Sequence, residues 1–262
     1  MKQKADGSLD RFKARLVAKG FEQNDGLDYT DTFSPVIKSS TIRAILAISV
    51  HLQWPICQLD VSNAFLHGTL DEEVFMEQPP GFVDSMFPNH VCKLHKSLYG
   101  LKQAPRAWFN KLATTLLSLG FLGSKVDYSL FFYHKSNVHI FLLIYVVDLI
   151  VIGNCLTAIT HLIECLKQFF ALKDLGFLHY FLGIHVQPLA GGLHLSQSKY
   201  ISDILERAKL SGVKPAKTPI PAGSKLSQHD GDPLQNPAEY RQIVGALQYC
   251  TLTRPDIAFT VN

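Results

Sequence analysis

The sequence predicts an α+β protein, on three observations. Two apolar runs, HIFLLIYV at 139–146 and LIVIG at 149–153, are rich in the β-branched and aromatic residues that favour strands. Several other segments repeat apolar residues at three- and four-residue spacing, the period of an amphipathic helix. Finally, 262 residues of 47% hydrophobic composition are enough for a sizeable core and for two lobes around a cleft.

Taken in order, KADGSLDRFKARLVAKGF reads as a hairpin, with Asp6-Gly7 as its turn and Arg11, Lys13 and Arg15 on one face of an alternating strand, a plausible phosphate contact. Residues 39–52 have helical periodicity through Ile42, Ile45, Leu46 and Ile48 behind a Ser/Thr cap. In WPICQLDVSNAFLHG an apolar strand ends at Asp60, and a short polar stretch leads into Ala64 and Phe65. EQPPGF is a turn-rich loop. HVCKLH places His90, Cys92 and His95 together, but zinc needs four convergent ligands and no matching pair lies nearby, so a short strand with solvent-facing imidazoles is the better reading. A long helix follows Pro105, with Trp108, Leu112, Leu116 and Leu119 as its apolar stripe and Lys102, Arg106 and Lys111 near its start. Those cations suit either a phosphate backbone or a solvated face.

Further on, KDLGFLHYFLGIHV reads as a turn at Gly176 followed by a strand pair, or one strand bent at Gly183. SQSKYISDILERAKL is an amphipathic helix, and GVKPAKTPIPAGSKL, with three prolines and two glycines, an extended connector. A last helix covers roughly 237–253, and RPDIAFTVN opens another element.

Composition excludes little. A net charge of +3 permits a nucleic-acid partner without demanding one. Five cysteines without a CxxC pair argue against a disulfide framework, and the charged N-terminus lacks a signal-peptide core, so an intracellular protein is expected. The run from Ile140 to Ile152 falls short of the ~20 residues that span a bilayer, and a central Asp would cost about 2.5–3.5 kcal/mol there. No membrane is expected.

Asp148 interrupts that run, and it carries the functional question. Two strands meeting in a tight link at Val147 and Asp148 fit best, although a β-branched residue suits a turn poorly. Asp60 has a similar setting at a strand end. Taken alone, each acid could be an ordinary turn residue. Together they suggest a site that holds divalent metal against phosphate oxygens, because Mg²⁺ takes one or two carboxylates plus substrate phosphates.

The blocks RFKARLVAKGF, DTFSPVIKSSTIRAILA, QLDVSNAFLHG, KSLYGLKQAPRAWF, DYSLF, KDLGFLHYFLGI, LSQSKYI and YRQIVGALQY followed by TRPDI occur in that order. In this they resemble the reverse transcriptases of copia-type long-terminal-repeat retrotransposon Pol polyproteins, over essentially the whole chain. The resemblance implies a right-hand polymerase fold: partial fingers and palm over 1–190, and a thumb-like region and connector over 191–262, cut before a ribonuclease H region. It implies an RNA-directed DNA polymerase with an RNA template, a DNA primer, deoxynucleoside triphosphates and two Mg²⁺ ions; oligomeric state is left open. Residue by residue, Asp60 resembles the first metal-binding carboxylate, and Phe65 the aromatic gate that selects deoxynucleotides. Arg11, Lys13 and Arg15 resemble the triphosphate-holding fingers hairpin, and Tyr99 and Gly100 the nucleotide contact. Lys102, Pro105 and Arg106 stand at the nucleic-acid contact, and Phe181, Leu182 and Gly183 resemble the primer grip.

Two positions depart from the family. Its YVDD reads Tyr145-Val146-Val147-Asp148 here, so Val147 replaces one metal-binding aspartate, and His185 stands where Glu is usual after FLGI. The resemblance with these departures implies a decayed, catalytically impaired copy with weakened metal binding. The alternative is a non-catalytic nucleic-acid-binding or interaction protein on the same fold.

Overall fold

A computed structural model describes residues 2–3, 8–12, 14–216, 218, 234 and 236–261. Contacts divide the chain into two compact units, 1–177 and 178–262.

In the first unit β1 (Lys2–Gln3) pairs antiparallel with β2 (Leu9–Arg11). The expected turn residues Asp6 and Gly7 and the expected strand residue Lys13 lie outside the described residues. The expected long basic strand does not form: β2 stops at Arg11, and Val17 bridges in parallel to Tyr99 instead, so Arg15 is not on the hairpin. Next comes α1 (Ser39–Leu52), with the expected bounds and buried Ile42, Ile45, Leu46 and Ser49. Its N-cap is the extended Lys38 and not a hydroxyl side chain, since Asp127 takes over the capping work: its Oδ2 accepts from the Lys38 N–H at 3.0 Å and from Thr41 at 2.6 Å.

The strands β3 (Ile56–Val61), β4 (Thr69–Glu77) and β5 (Val91–Lys96) follow, then α2 (Ala104–Ser118), β6 (Leu122–Gly123), β7 (Leu130–Lys135), β8 (Val138–Tyr145), β9 (Asp148–Gly153), α3 (Leu156–Lys167) and β10 (Leu172–Phe177). Six of these make one antiparallel sheet in the order β10-β3-β9-β8-β7-β6. Gly176, read from the sequence as a turn, instead lies within β10, where the pairing with β3 shifts register between Asp174 and Phe177. His90 and His95 are exposed in and beside β5, as the short-strand reading expects.

Alternation along the strands sorts the sheet into two faces. One face gives Leu59, Val61, Leu142, Ile144, Leu149 and Val151 to a core shared with Trp108, Leu112 and Leu116 of α2 and Ile159, Ile163 and Leu166 of α3. Each such large side chain contributes about 1.5–3 kcal/mol on burial. Leu143, Ile150 and Ile152 point the other way and are buried too. Trp54, just after α1, stacks on Phe141 of that second face with centroids 6.1 Å apart.

Between β3 and β4 a 3-10 turn, Ala64–His67, presses against α2. Gly68 closes it in a space with no room for a side chain: a Cβ would lie 2.8 Å from Ala107 C, Trp108 N and Ser97 Oγ. A smaller cluster of Ala18, Val74, Leu101 and Ala104 forms beside β4.

In the second unit β11 (Tyr180–Phe181), β12 (Ile184–Leu189) and β13 (Gly192–Ser196) form a three-stranded antiparallel sheet. The strand-pair reading of this stretch therefore holds, with Leu182 and Gly183 both at positive φ in the two-residue turn. Helices α4 (Ser198–Arg207), α5 (Pro237–Cys250) and α6 (Ala258–Val261) follow. Ile204 of α4 packs with Ala246 and Cys250 of α5, and Asn236 caps α5 by accepting from the Ala238 N–H. Most of the expected connector lies outside the described residues. All five cysteines are free, and among the described residues no helix is long and apolar enough to cross a membrane.

Gly68→Ala is expected to destabilise the first unit by about 1–3 kcal/mol, the usual cost of overpacking against backbone that cannot give way. Urea unfolding checks this; an unchanged midpoint would show that the 3-10 turn moves freely.

Candidate active site

The centre of the site is a register. β3 and β9 pair antiparallel with Leu59 opposite Leu149 and Asp60 opposite Asp148. Directly opposed residues point to the same face with Cβ atoms about 4.5–5.5 Å apart, so the pairing that sinks the leucines into the core sets the two carboxylates side by side on the other face. Both acids are half-buried. Burial raises the pKa of Asp148 above the ordinary aspartate value, and the negative charge of Asp60 raises it further. On the other side of β3, Lys173 of β10 holds the register position opposite Asp60.

The link between β8 and β9 is Val146-Val147, one residue earlier than the sequence suggests, because Asp148 already pairs with Tyr145 as the first residue of β9. Val146 sits at φ 53°, a left-handed conformation that a β-branched side chain rarely adopts. Two hydrogen bonds hold it there. The indole Nε1–H of Trp108 donates to the Val146 carbonyl at 2.6 Å, and the Val61 N–H donates to the Val147 carbonyl at 3.0 Å. Val147 packs its half-buried side chain against the main core. It offers no oxygen to the face that carries Asp60 and Asp148.

Phe65 follows β3 on the 3-10 turn and packs against both hydrophobic clusters of the unit. The Ser97 hydroxyl donates to its carbonyl, and Tyr99 meets its ring edge-on with centroids 5.1 Å apart. The Arg15 guanidinium lies 5.3 Å from the centre of the Tyr99 ring. These three expected site residues are therefore brought together: Arg15 over Tyr99, and Tyr99 against Phe65. Gly100 is at φ 92°, and a Cβ there would lie 2.1 Å from the Ala18 carbonyl oxygen.

Lys102 and Arg106 stand at the start of α2 beside Pro105, but in this structure they tie down the loop at 23–33. Lys102 Nζ donates to the Gln23 carbonyl at 3.0 Å and lies 4.7 Å from the centre of the Tyr29 ring. Arg106 pairs with Asp31 at 2.9 Å. Gln103 joins them, donating to the Asp28 carbonyl at 2.7 Å. Arg11 ends β2, and Phe181, Leu182 and Gly183 form the β11–β12 turn of the second unit. In that unit the Tyr249 hydroxyl donates to the Leu182 carbonyl.

Sequence reasoning read Trp108 only as part of an apolar stripe and missed its hydrogen bond to the turn. A tryptophan at a fully buried position is the signal, since its N–H needs a partner there. It also missed Lys173, because its neighbour across the sheet depends on register.

Hard oxygen donors paired on one sheet face suit a divalent cation and the phosphates of a nucleotide. The comparisons agree with that class. The family profile of reverse transcriptase (RNA-dependent DNA polymerase) matches residues 1–222, and the chain belongs to this family. Its reverse transcriptase domain is of the copia type found in retrotransposon Pol polyproteins. It is 52% identical over 261 residues to the Retrovirus-related Pol polyprotein from transposon RE1 of Arabidopsis thaliana, covering 100% of this chain and 18% of that protein. The chain is 42% identical over 274 residues to the Retrovirus-related Pol polyprotein from transposon TNT 1-94 of Nicotiana tabacum, covering 100% of this chain and 20% of the relative. A putative transposon Ty5-1 protein of Saccharomyces cerevisiae is 34% identical over 206 residues, 78% of this chain and 67% of its own. The chain thus spans about a fifth of the length of the two plant relatives. The family generally uses a divalent metal with a nucleic-acid template and nucleotide substrates.

Replacing Asp148 by Asn gives a pH signature. The folded pKa is raised, so folding binds a proton: the penalty of ionising Asp148 is absent below the ordinary value of about 3.9, appears as pH rises through the raised folded value, and persists above it. Asp148→Asn is therefore expected to raise the melting temperature at neutral pH, with a difference that vanishes in acid. A lower melting temperature at neutral pH would contradict a carboxyl disfavoured in its charged form by burial and by Asp60.

Proposed function

We propose that this chain is an RNA-directed DNA polymerase domain of retrotransposon origin whose nucleotidyl-transfer chemistry is impaired. The observation that carries the reading is the opposition of Asp60 and Asp148 with Val147 turned into the core beside them. In this reading the six-stranded sheet is the palm of a right-hand fold. Fingers and palm take residues 1–190, so the β11–β12 turn goes with them, and a thumb-like region takes 191–262.

Asp60 and Asp148 supply carboxylate oxygens for one Mg²⁺, which fits an ion that binds through one or two carboxylates and substrate phosphates. When bound, such ions neutralise charge developing on the attacking and leaving oxygens of the transferred phosphoryl group. Val147 withholds the third carboxylate, so a second ion would be held weakly. Phe65, pinned through its carbonyl by Ser97 and through its ring by Tyr99, excludes a 2′-hydroxyl from the sugar pocket. Tyr99 and Gly100 border the incoming nucleotide, whose triphosphate Arg11, Lys13 and Arg15 hold. Pro105 sets the start of α2, where Lys102 and Arg106 face the template, and Phe181, Leu182 and Gly183 grip the primer.

Losing one carboxylate is expected to remove about 4 kcal/mol of transition-state stabilisation, or roughly a thousand-fold in rate at 1.36 kcal/mol per decade. The unmodified chain should therefore give negligible Mg²⁺-dependent extension of a DNA primer on an RNA template. Val147→Asp should recover extension in part, and Asp60→Asn in that background should abolish it. Robust extension by the unmodified chain that disappears with Asp60→Asn would sink the impaired-site reading. No extension by Val147→Asp, despite an unchanged melting curve, would sink the assignment of residue 147.

A further inference from the structure

The β7–β8 hairpin carries chemistry that the polymerase site does not use. Its turn residues, Ser136 and Asn137, both have positive φ, at 48° and 66°, the geometry whose twist matches a two-residue hairpin and fixes its register. That register sets His134 opposite His139. Their Nδ1 atoms are 2.7 Å apart and their ring centroids 4.2 Å apart.

The pair is held in place by its neighbours. The His139 N–H donates to Asn154 Oδ1 at 2.9 Å, and Asn154 Nδ2 donates to the Asn137 carbonyl at 2.7 Å. Trp54 stacks on the His139 ring with centroids 5.9 Å apart.

Two neutral imidazoles with facing nitrogens share one hydrogen, one ring donating and the other accepting. The same convergence makes a chelate once that hydrogen is displaced. With metal–nitrogen bonds of about 2.0–2.1 Å, donors at right angles are about 2.9 Å apart and tetrahedral donors about 3.4 Å apart. The observed 2.7 Å is close to the first spacing and far from the second.

We propose that His134 and His139 form a two-imidazole chelate for a late first-row divalent cation of square-planar or octahedral preference, Ni²⁺ or Cu²⁺ before Zn²⁺. Imidazole suits these ions and not Mg²⁺, which takes oxygen ligands. Among the described residues no group of three or more His, Cys, Asp and Glu converges, so water fills the other positions. The site is separate from the polymerase carboxylates. Six residue steps along β8 separate His139 from Tyr145, the partner of Asp148, which is about 20 Å of extended strand.

Ni²⁺ is the probe, titrated calorimetrically into the full chain near pH 7.5 with excess Mg²⁺ present, alongside melting curves. One Ni²⁺ per chain and a raised melting temperature are expected, because a ligand that binds only the folded state stabilises it. His134→Gln alters an exposed side chain and should weaken binding by at least about tenfold, since even a supporting partner of a ligand is worth 10–100-fold in affinity. His139→Gln should do the same. Asn154→Ala should weaken binding with both ligands intact, and His95→Gln should leave it unchanged. Equal Ni²⁺ binding by the parent and His134→Gln would overturn the proposal, as would a melting temperature that saturating Ni²⁺ does not move.

Discussion

The register between β3 and β9 is the constraint on which the rest depends. Side chains alternate with a period of two, so the pairing that seats Leu59 and Leu149 in the core also puts Asp60 and Asp148 together on the opposite face. A slip of one residue would take the leucines out of their packing against α2 and α3 and drive the acids into that core, and it would cost far more than any rearrangement of the site could return. The carboxylates are therefore placed by the hydrophobic effect. The cost of that placement shows in Asp148, whose pKa is raised first by burial and then by the negative charge of Asp60.

The turn that joins β8 to β9 follows the same logic. Left-handed valine costs of the order of 1–3 kcal/mol, a strain that persists only where surroundings over-determine it. Here they do: the indole of α2 and the backbone of β3 each fix one of its carbonyls. Trp108 is thus both a core residue and the brace of the turn, and it links the packing of α2 to the geometry at residue 147. The same helix start anchors the loop at 23–33 through Lys102, Gln103 and Arg106, so one element holds both the β8–β9 turn and that loop.

Elements with a strong local signal were legible in the sequence. The apolar period of α1 gave its bounds, and the β-branched runs gave the two strands that meet at Asp148. Elements set by distant partners were not. The turn fell one residue earlier than expected because a left-handed Val146 is dictated by Trp108 and by the pairing of Tyr145 with Asp148. Asp127, 86 residues from Thr41, replaced the expected hydroxyl cap of α1. Arg15 left the basic strand because Val17 found Tyr99. For the site, ordered sequence blocks named Asp60, Phe65 and Tyr99, and the interrupted apolar run with its Tyr145–Asp148 motif named Asp148, but only the folded structure shows that Tyr99 braces Phe65 and that Lys102 and Arg106 already have partners within the chain.

Gly20 and Gly100 meet with nothing between them: a Cβ on Gly20 would lie 1.8 Å from the Gly100 carbonyl oxygen, and one on Gly100 would lie 2.1 Å from that of Ala18. The nearest obstacle in each case is main chain, which every residue type carries; at Gly100 the Val17 side chain stands close as well, 2.8 Å from where the Cβ would lie. Enlarging one position therefore has no compensating change at the other, since there is no side chain to trim. The contact cannot drift by paired substitution as a hydrophobic core can. Copies of this sequence that diverge elsewhere have to keep both glycines or give up the close seat of the 17–20 segment on residue 100, and with it the support behind Tyr99.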